Sequence, residues 1–182
     1  MADALDQASQ QQRVEWLHSF PCFASLTHSQ LDELAHLFVK VEYLPGTKIV
    51  IENELVDSIY LIADGEAEVT HEVKTKKKIE QIPIAILSVG EAIGLNDTGF
   101  YSKTGKRTAT VTAVTICHLL RLDLKDLYGF LKKYDLELSM YAASQQMLRM
   151  RFIKQSLPFA KLSHERLTWL ADCVEEKRIA AG

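Results

Sequence analysis

Gly94-Leu95-Asn96-Asp97-Thr98, a polar loop from Gly99 to Gly105, and Lys106-Arg107-Thr108-Ala109-Thr110-Val111 make up the stretch on which the reading of this chain turns. A glycine opens it, and an arginine closes it at the entrance to Thr108–Thr115, whose β-branched content predicts a strand. Strand chemistry continues on both sides. Lys48 to Ile51 is β-branched, and Asp57 to Ile62 is a second run, stopped by Asp64-Gly65. Ala67 to Val73 alternates apolar and polar positions. Lys74 to Lys78 reads as a solvated hairpin tip. Ile79 to Leu87 returns from it, with Pro83 implying an edge or bulge position. Ile116 to Leu122 follows the first-quoted strand.

Helical periods frame these strands. Arg13 to Ser19 predicts a short helix with Trp16, Leu17 and Phe20 as its contacts. Thr27 reads as an N-cap before Leu31, Leu34, Ala35 and Phe38. Leu44-Pro45-Gly46 is a turn that ends this part. From Asp123 a stripe of Leu124, Leu127, Leu131, Leu136, Met140, Ala143, Met147 and Met150 predicts a helix to about Gln155, broken near Tyr134-Asp135. Short strands with close turns and flanking helices predict an α+β chain: an antiparallel β jelly-roll barrel with N- and C-terminal helices.

Composition narrows the class. The chain has 182 residues, 47% hydrophobic and 25% charged, with a formal net charge of -3. Such a chain has no global basic excess to draw nucleic acid or a membrane surface. No apolar run is long enough to span a bilayer. Cys22, Cys117 and Cys173 are odd in number and widely spaced, which predicts buried thiols in a reducing, cytoplasmic setting. His18, His28, His36, His71, His118 and His164 lack metal-ligand spacing, so no metal or cofactor is expected. No catalytic motif of the nucleophile, Walker or paired-cysteine kind occurs, so no enzyme is expected.

The chain also repeats itself. Phe23, Ala24, Leu26, His28, Leu31, Leu34, Ala35 and Gly46 match Phe159, Ala160, Leu162, His164, Leu167, Leu170, Ala171 and Gly182, each pair 136 positions apart. Ser163 stands where Thr27 stood. One offset across apolar helix positions predicts duplication of a whole unit. The expected organisation is a disordered N-terminus over 1–12, a domain over 13–155, and the helical start of a second, truncated copy over 156–182 in a longer tandem protein. A helix-turn-helix does not follow the long helix, which disfavours a DNA-binding regulator.

Together these stretches resemble cyclic nucleotide-binding domains. Pro45-Gly46-Thr47, Glu52-Asn53-Glu54, Asp57 with Ile59-Tyr60-Leu61-Ile62, Gly65 and Val69 resemble the first half of that family. Leu87-Ser88-Val89-Gly90-Glu91 and Arg107-Thr108-Ala109-Thr110-Val111 resemble the second. Tandem copies resemble the regulatory regions of cAMP- and cGMP-dependent kinases. The resemblance implies a ligand-sensing module for a cyclic nucleotide or similar purine ligand, acting on a second domain or an effector through its C-terminal helix. It implies that Arg107 pairs with the cyclic phosphate and that backbone N–H groups after Gly94 form a second clamp.

Family members place a glutamate directly after that glycine, to accept from the ribose. Here two registers compete. In one, Gly94 is the family glycine and Leu95 takes the glutamate position, with Asn96 or Asp97 as substitutes. In the other, Gly90-Glu91 is the motif and Glu91 is the acceptor. Strand register favours the first. Thr108 resembles cGMP-preferring sites, and Ala109 completes the cassette. If Leu95 abolishes nucleotide binding, the alternative is a degenerate domain serving protein–protein interaction. In this sequence-based reading, replacing Arg107 with Glu abolishes binding and leaves the melt nearly unchanged.

Overall fold

The computed structural model describes residues 10–74, 78–94, 105–138, 149–150, 153, 157–159 and 162–174. Helix α1 spans Gln10–His18, a 3-10 turn follows at Pro21–Phe23, and α2 spans His28–Leu37. Thr27 caps α2 reciprocally. The Gln30 N–H donates to Thr27 Oγ1 at 3.3 Å, and the Thr27 N–H donates to Gln30 Oε1 at 2.8 Å. Two otherwise unsatisfied donors are thereby paired. Trp16, Phe20, Phe23 and Phe38 pack edge-on or tilted along this unit, with centroids 4.6–6.4 Å apart.

Eight strands follow: β1 Val39–Tyr43, β2 Lys48–Val50, β3 Ser58–Asp64, β4 Ala67–Lys74, β5 Ile79–Leu87, β6 Ala92–Ile93, β7 Thr110–Ala113 and β8 Cys117–Asp123. All pair antiparallel, in two four-stranded sheets ordered β1-β8-β3-β6 and β2-β7-β4-β5. The sheets are not closed on one another, so the expected barrel is corrected to two open sheets. Two of the edges, β2 and β6, are only three and two residues long and offer little ladder for closure. Strand β1 is absent from the sequence reading. It leaves α2 with no Gly or Pro signal between them, and as an edge strand it is only half-buried.

The alternation of β3 and β8 builds three layers. Ile59, Leu61, Leu120 and Leu122 face α1, α2 and the next helix in one core. Tyr60, Ile62, Cys117 and Leu119 face the second sheet in another, with Ile49, Val50, Leu87, Ile93 and Val111. The β1-β8-β3-β6 sheet is therefore apolar on both faces. Pro83 sits on the edge strand β5 beside a bulge opposite Val69/Thr70, as its missing N–H requires.

Helix α3, Leu124–Tyr134, buries Leu124, Leu127, Phe130 and Leu131 and ends at Asp135 in the left-handed conformation (φ 53). The break expected near Tyr134-Asp135 is therefore present. Met140, Ala143 and Met147 of the predicted stripe lie outside the described residues, as do residues 1–9. Glu33 of α2 clasps α3, accepting from Lys133 Nζ at 2.6 and 2.8 Å and from the Tyr134 hydroxyl at 2.6 Å. A smaller third core joins Met150 and Ile153 to Leu167 and Ala171 of α4, His164–Cys173. Cys22 and Cys117 are buried as expected. Cys173, the last residue of α4, is exposed, so the expectation of a buried thiol is corrected at that position.

Candidate functional site

Arg107 enters the molecule on a short stretch of paired backbone. Its N–H donates to the Glu54 carbonyl at 2.8 Å, and its carbonyl accepts from the Asn53 N–H at 2.9 Å. Leu55 bridges Lys106, and the Val56 N–H donates to Gly105. Asn53 takes a left-handed conformation (φ 70) to make this turn. Arg107 is thus aimed inward, and only 6% of it is exposed.

Its guanidinium is held from one side. Nη2 donates to Asp57 Oδ1 at 3.0 Å and to the Ser58 carbonyl at 2.8 Å. The guanidinium carbon lies 6.0 Å from the centre of the buried Tyr60 ring, within cation–π range. Nη1 is buried and has no hydrogen-bond partner among the described residues. Its neighbour is Gly94 (φ 98), where a Cβ would lie 2.9 Å from Nη1 and 3.2 Å from the Ser58 carbonyl. The glycine is needed for both its backbone conformation and its lack of a side chain.

Asp57 is the hinge of a charge ladder. Its Oδ2 lies 3.4 Å from Arg121 Nη2, which pairs with Asp123 Oδ1 at 2.6 Å. Burial opposes ionisation of Asp57. Hydrogen bonds from Ser58 and its own backbone, with the charge and hydrogen bond of Arg107, outweigh that and hold its carboxyl below the usual aspartate value. The Asp57 carbonyl accepts from the Leu124 N–H at 2.8 Å, at the start of α3.

Beside the guanidinium lies a cleft of about 100 Å³. Val50, Val69, Leu87 and Val111 wall it from β2, β4, β5 and β7. Ile93, Gly94, Lys106, Arg107, Thr108 and Ala109 close the other side. The structure thus brings Gly94, Arg107, Thr108 and Ala109 together. Glu91 sits elsewhere: its Oε2 accepts from the Ser88 N–H at 2.9 Å and the Ser88 hydroxyl at 3.2 Å, in the turn after β5. It does not line the cleft. Leu95, Asn96 and Asp97 lie outside the described residues.

The burial of Arg107 also changes the expectation for Arg107→Glu. A buried carboxylate there would face Asp57 and the Ser58 carbonyl in place of the cation they hold, so the variant is expected to lose stability. Sequence reasoning missed Asp57, Ser58 and Tyr60 as members of this site. The available signal was a carboxylate and a hydroxyl standing directly before the apolar run Ile59-Tyr60-Leu61-Ile62. Among the described residues no three metal-binding side chains converge, and no helix is long and apolar enough to cross a membrane.

The cyclic nucleotide-binding domain model matches residues 40–134, and the chain belongs to that family. It is 35% identical over 104 residues to the cAMP-dependent protein kinase regulatory subunit of Yarrowia lipolytica, covering 55% of this chain and 24% of that protein. The fold is similar to the regulatory domain of Toxoplasma gondii PKA solved with cAMP (TM-score 0.63, 19% identity, 92% of this chain and 59% of that one). It is also similar to the regulatory subunit of a cAMP-independent protein kinase A from Trypanosoma brucei (TM-score 0.53, 19% identity, 68% and 41%). The chain therefore spans about a quarter of the curated relative and about half of these structures.

Proposed function

We propose that this chain is a ligand-sensing regulatory module that takes a cyclic nucleotide, or a related purine ligand, in the cleft beside Arg107. The observation that carries this reading is the buried Arg107 Nη1, unpaired among the described residues and directed at a glycine. A buried cationic donor without a partner is costly, and a cyclic phosphate offsets that cost with a charge-assisted bond. The aliphatic walls suit the sugar and base. Gly94 is taken as the family glycine, since Glu91 is engaged in its own turn. Thr108 offers the cleft a hydroxyl, which suits a guanine.

Asp57 and Ser58 supply the relay. They grip Arg107 by carboxylate and carbonyl, and the Asp57 carbonyl also holds the first N–H of α3. A phosphate that draws Arg107 toward Gly94 loosens that grip and shifts α3 against the β1-β8-β3-β6 sheet. Contacts with an effector then change by population shift. The role is regulatory and not catalytic, in a cytoplasmic setting.

One observation favours a second reading. None of the described residues lining the cleft carries a carboxylate, and the register favoured from the sequence puts Leu95 where family members place the glutamate. A domain that binds no nucleotide and serves protein–protein interaction would look the same there. Calorimetric titration with cAMP, cGMP, nucleosides and linear nucleotides separates the two. One-to-one binding of a cyclic nucleotide, weakened about 100-fold in Arg107→Gln by loss of a charge-assisted bond, supports the sensor. No heat with any of these ligands, from protein with a cooperative melt, supports the interaction module.

A further inference from the structure

Among the described residues, the side-chain hydrogen bonds of Arg107 all run through Nη2. That nitrogen donates to Asp57 Oδ1 at 3.0 Å, to the Ser58 carbonyl at 2.8 Å and to the Ser58 hydroxyl at 3.4 Å. Nη1 is buried and makes none. A guanidinium anchored at one corner can still pivot about that corner, so these bonds alone do not aim Nη1 at Gly94. The face of Tyr60 supplies a second contact. The guanidinium carbon lies over that ring, 6.0 Å from its centre, at the outer limit of cation–π range.

Tyr60 is itself held in place. It stands on β3 between its register partners Ile93 of β6 and Arg121 of β8. Ile93 directly precedes Gly94, so one ladder sets the ring relative to the glycine. The residue is buried, and its ring meets Tyr43 of β1 edge-on, with centroids 6.3 Å apart and planes at 75°. The hydroxyl is engaged as well. Burial, and then the hydrogen bond with Tyr60, pushes the Tyr43 hydroxyl up to about 12. Burial opposes the charge of Arg121, but Asp123 and the Tyr60 hydroxyl outweigh it and hold Arg121 above its ordinary value. A buried phenol needs such partners. An aliphatic side chain like the neighbouring Ile62 or Leu119 would fill the same core, but it would offer a cation no π-face.

We propose that Tyr60 is a positioning residue: its ring, set by β3 and by the edge-on contact with Tyr43, keeps the Arg107 guanidinium turned so that Nη1 faces Gly94 and the cleft. Asp57 and Ser58 fix where the guanidinium sits, and Tyr60 fixes which way it turns. The consequence for affinity rests on the reading of the cleft as a nucleotide site. The orientation of Arg107 does not depend on that reading.

The test compares Tyr60→Phe, which keeps the ring, with Tyr60→Leu and Tyr60→Met, which lose it. If one of the last two does not melt cooperatively, the other carries the comparison. The first readout needs no ligand. The Arg107 side-chain N–H resonance, assigned by its loss in Arg107→Lys, should lie upfield in the parent through the ring current of Tyr60. It should stay upfield in Tyr60→Phe, where the contact with Tyr43 still holds the ring, and move to the ordinary arginine position in the other two. A ring that merely fills the core would lower the melt of those two and leave the resonance in place. Calorimetric titration with cAMP and cGMP is the second readout. Affinity should stay within about threefold of the parent in Tyr60→Phe and fall about 10-fold in Tyr60→Leu and Tyr60→Met, as expected for loss of a desolvated cation–π contact. An unmoved resonance in the variants without the ring, or an equal loss of affinity in Tyr60→Phe and Tyr60→Leu, overturns the proposal. A resonance that follows the ring in a parent that takes neither nucleotide supports the positioning and counts against the nucleotide reading instead.

Discussion

At the residue scale the site depends on one glycine and one aspartate as much as on Arg107. Gly94→Ala would place a methyl 2.9 Å from Arg107 Nη1 at φ 98. The left-handed backbone alone costs about 1–2 kcal/mol, so a lower melting temperature is expected. The guanidinium must also move, so cyclic nucleotide affinity, read by calorimetry, should fall by more than the stability loss accounts for. Asp57 gives a pH prediction. Its folded value lies below the ordinary 3.8, so its stabilising effect is present above that value and is lost as pH falls through the folded value. Asp57→Asn should therefore melt below the parent at pH 7. The gap should close as pH is lowered below 3.8, and a gap that persists unchanged would show that the carboxylate charge is not the cause.

At the element scale, local chemistry and burial act together on α2. Its cap satisfies two N–H groups that no helix can pair internally. Thr27→Ala should cost about 1 kcal/mol, measured by urea unfolding with an unchanged slope. The cap was legible in the sequence because a hydroxyl residue preceded a helical apolar period. The break at Asp135 was legible for a similar reason, since the apolar stripe lost phase there. Strand β1 was not, because Val39-Lys40-Val41-Glu42-Tyr43 lacks a turn signal at its start and gains its partner, β8, from about 80 residues away in register Val39 to Arg121.

For the whole molecule, the doubly buried sheet is the part on which both cores rest. Leu61 belongs to the helix-side core and Ile62 to the inter-sheet core, and both are 0% exposed. Leu61→Ala and Ile62→Ala should each cost about 2–5 kcal/mol. If the three layers unfold as one, far-UV and near-UV signals will shift together in both variants. Separate midpoints for the two signals would mean that the helical layer detaches first.

By itself the sequence determined most of the strands, the capped helix α2 and the family resemblance, and it raised the expectation, met in the cleft lining, that Gly94 and Arg107 lie together. Each of these is written in local spacing: period 2, period 3.6, a cap residue, a glycine, an arginine before a strand. Only the tertiary structure decided that Arg107 is buried, that Asp57 and Ser58 hold it, and that Glu91 accepts from Ser88 in the turn after β5. It also decided that the strands form two open sheets and that Met150 and Ile153 pack with Leu167 and Ala171 in a small core of their own. These depend on contacts between segments far apart in the chain, and a one-dimensional pattern carries no distance between them.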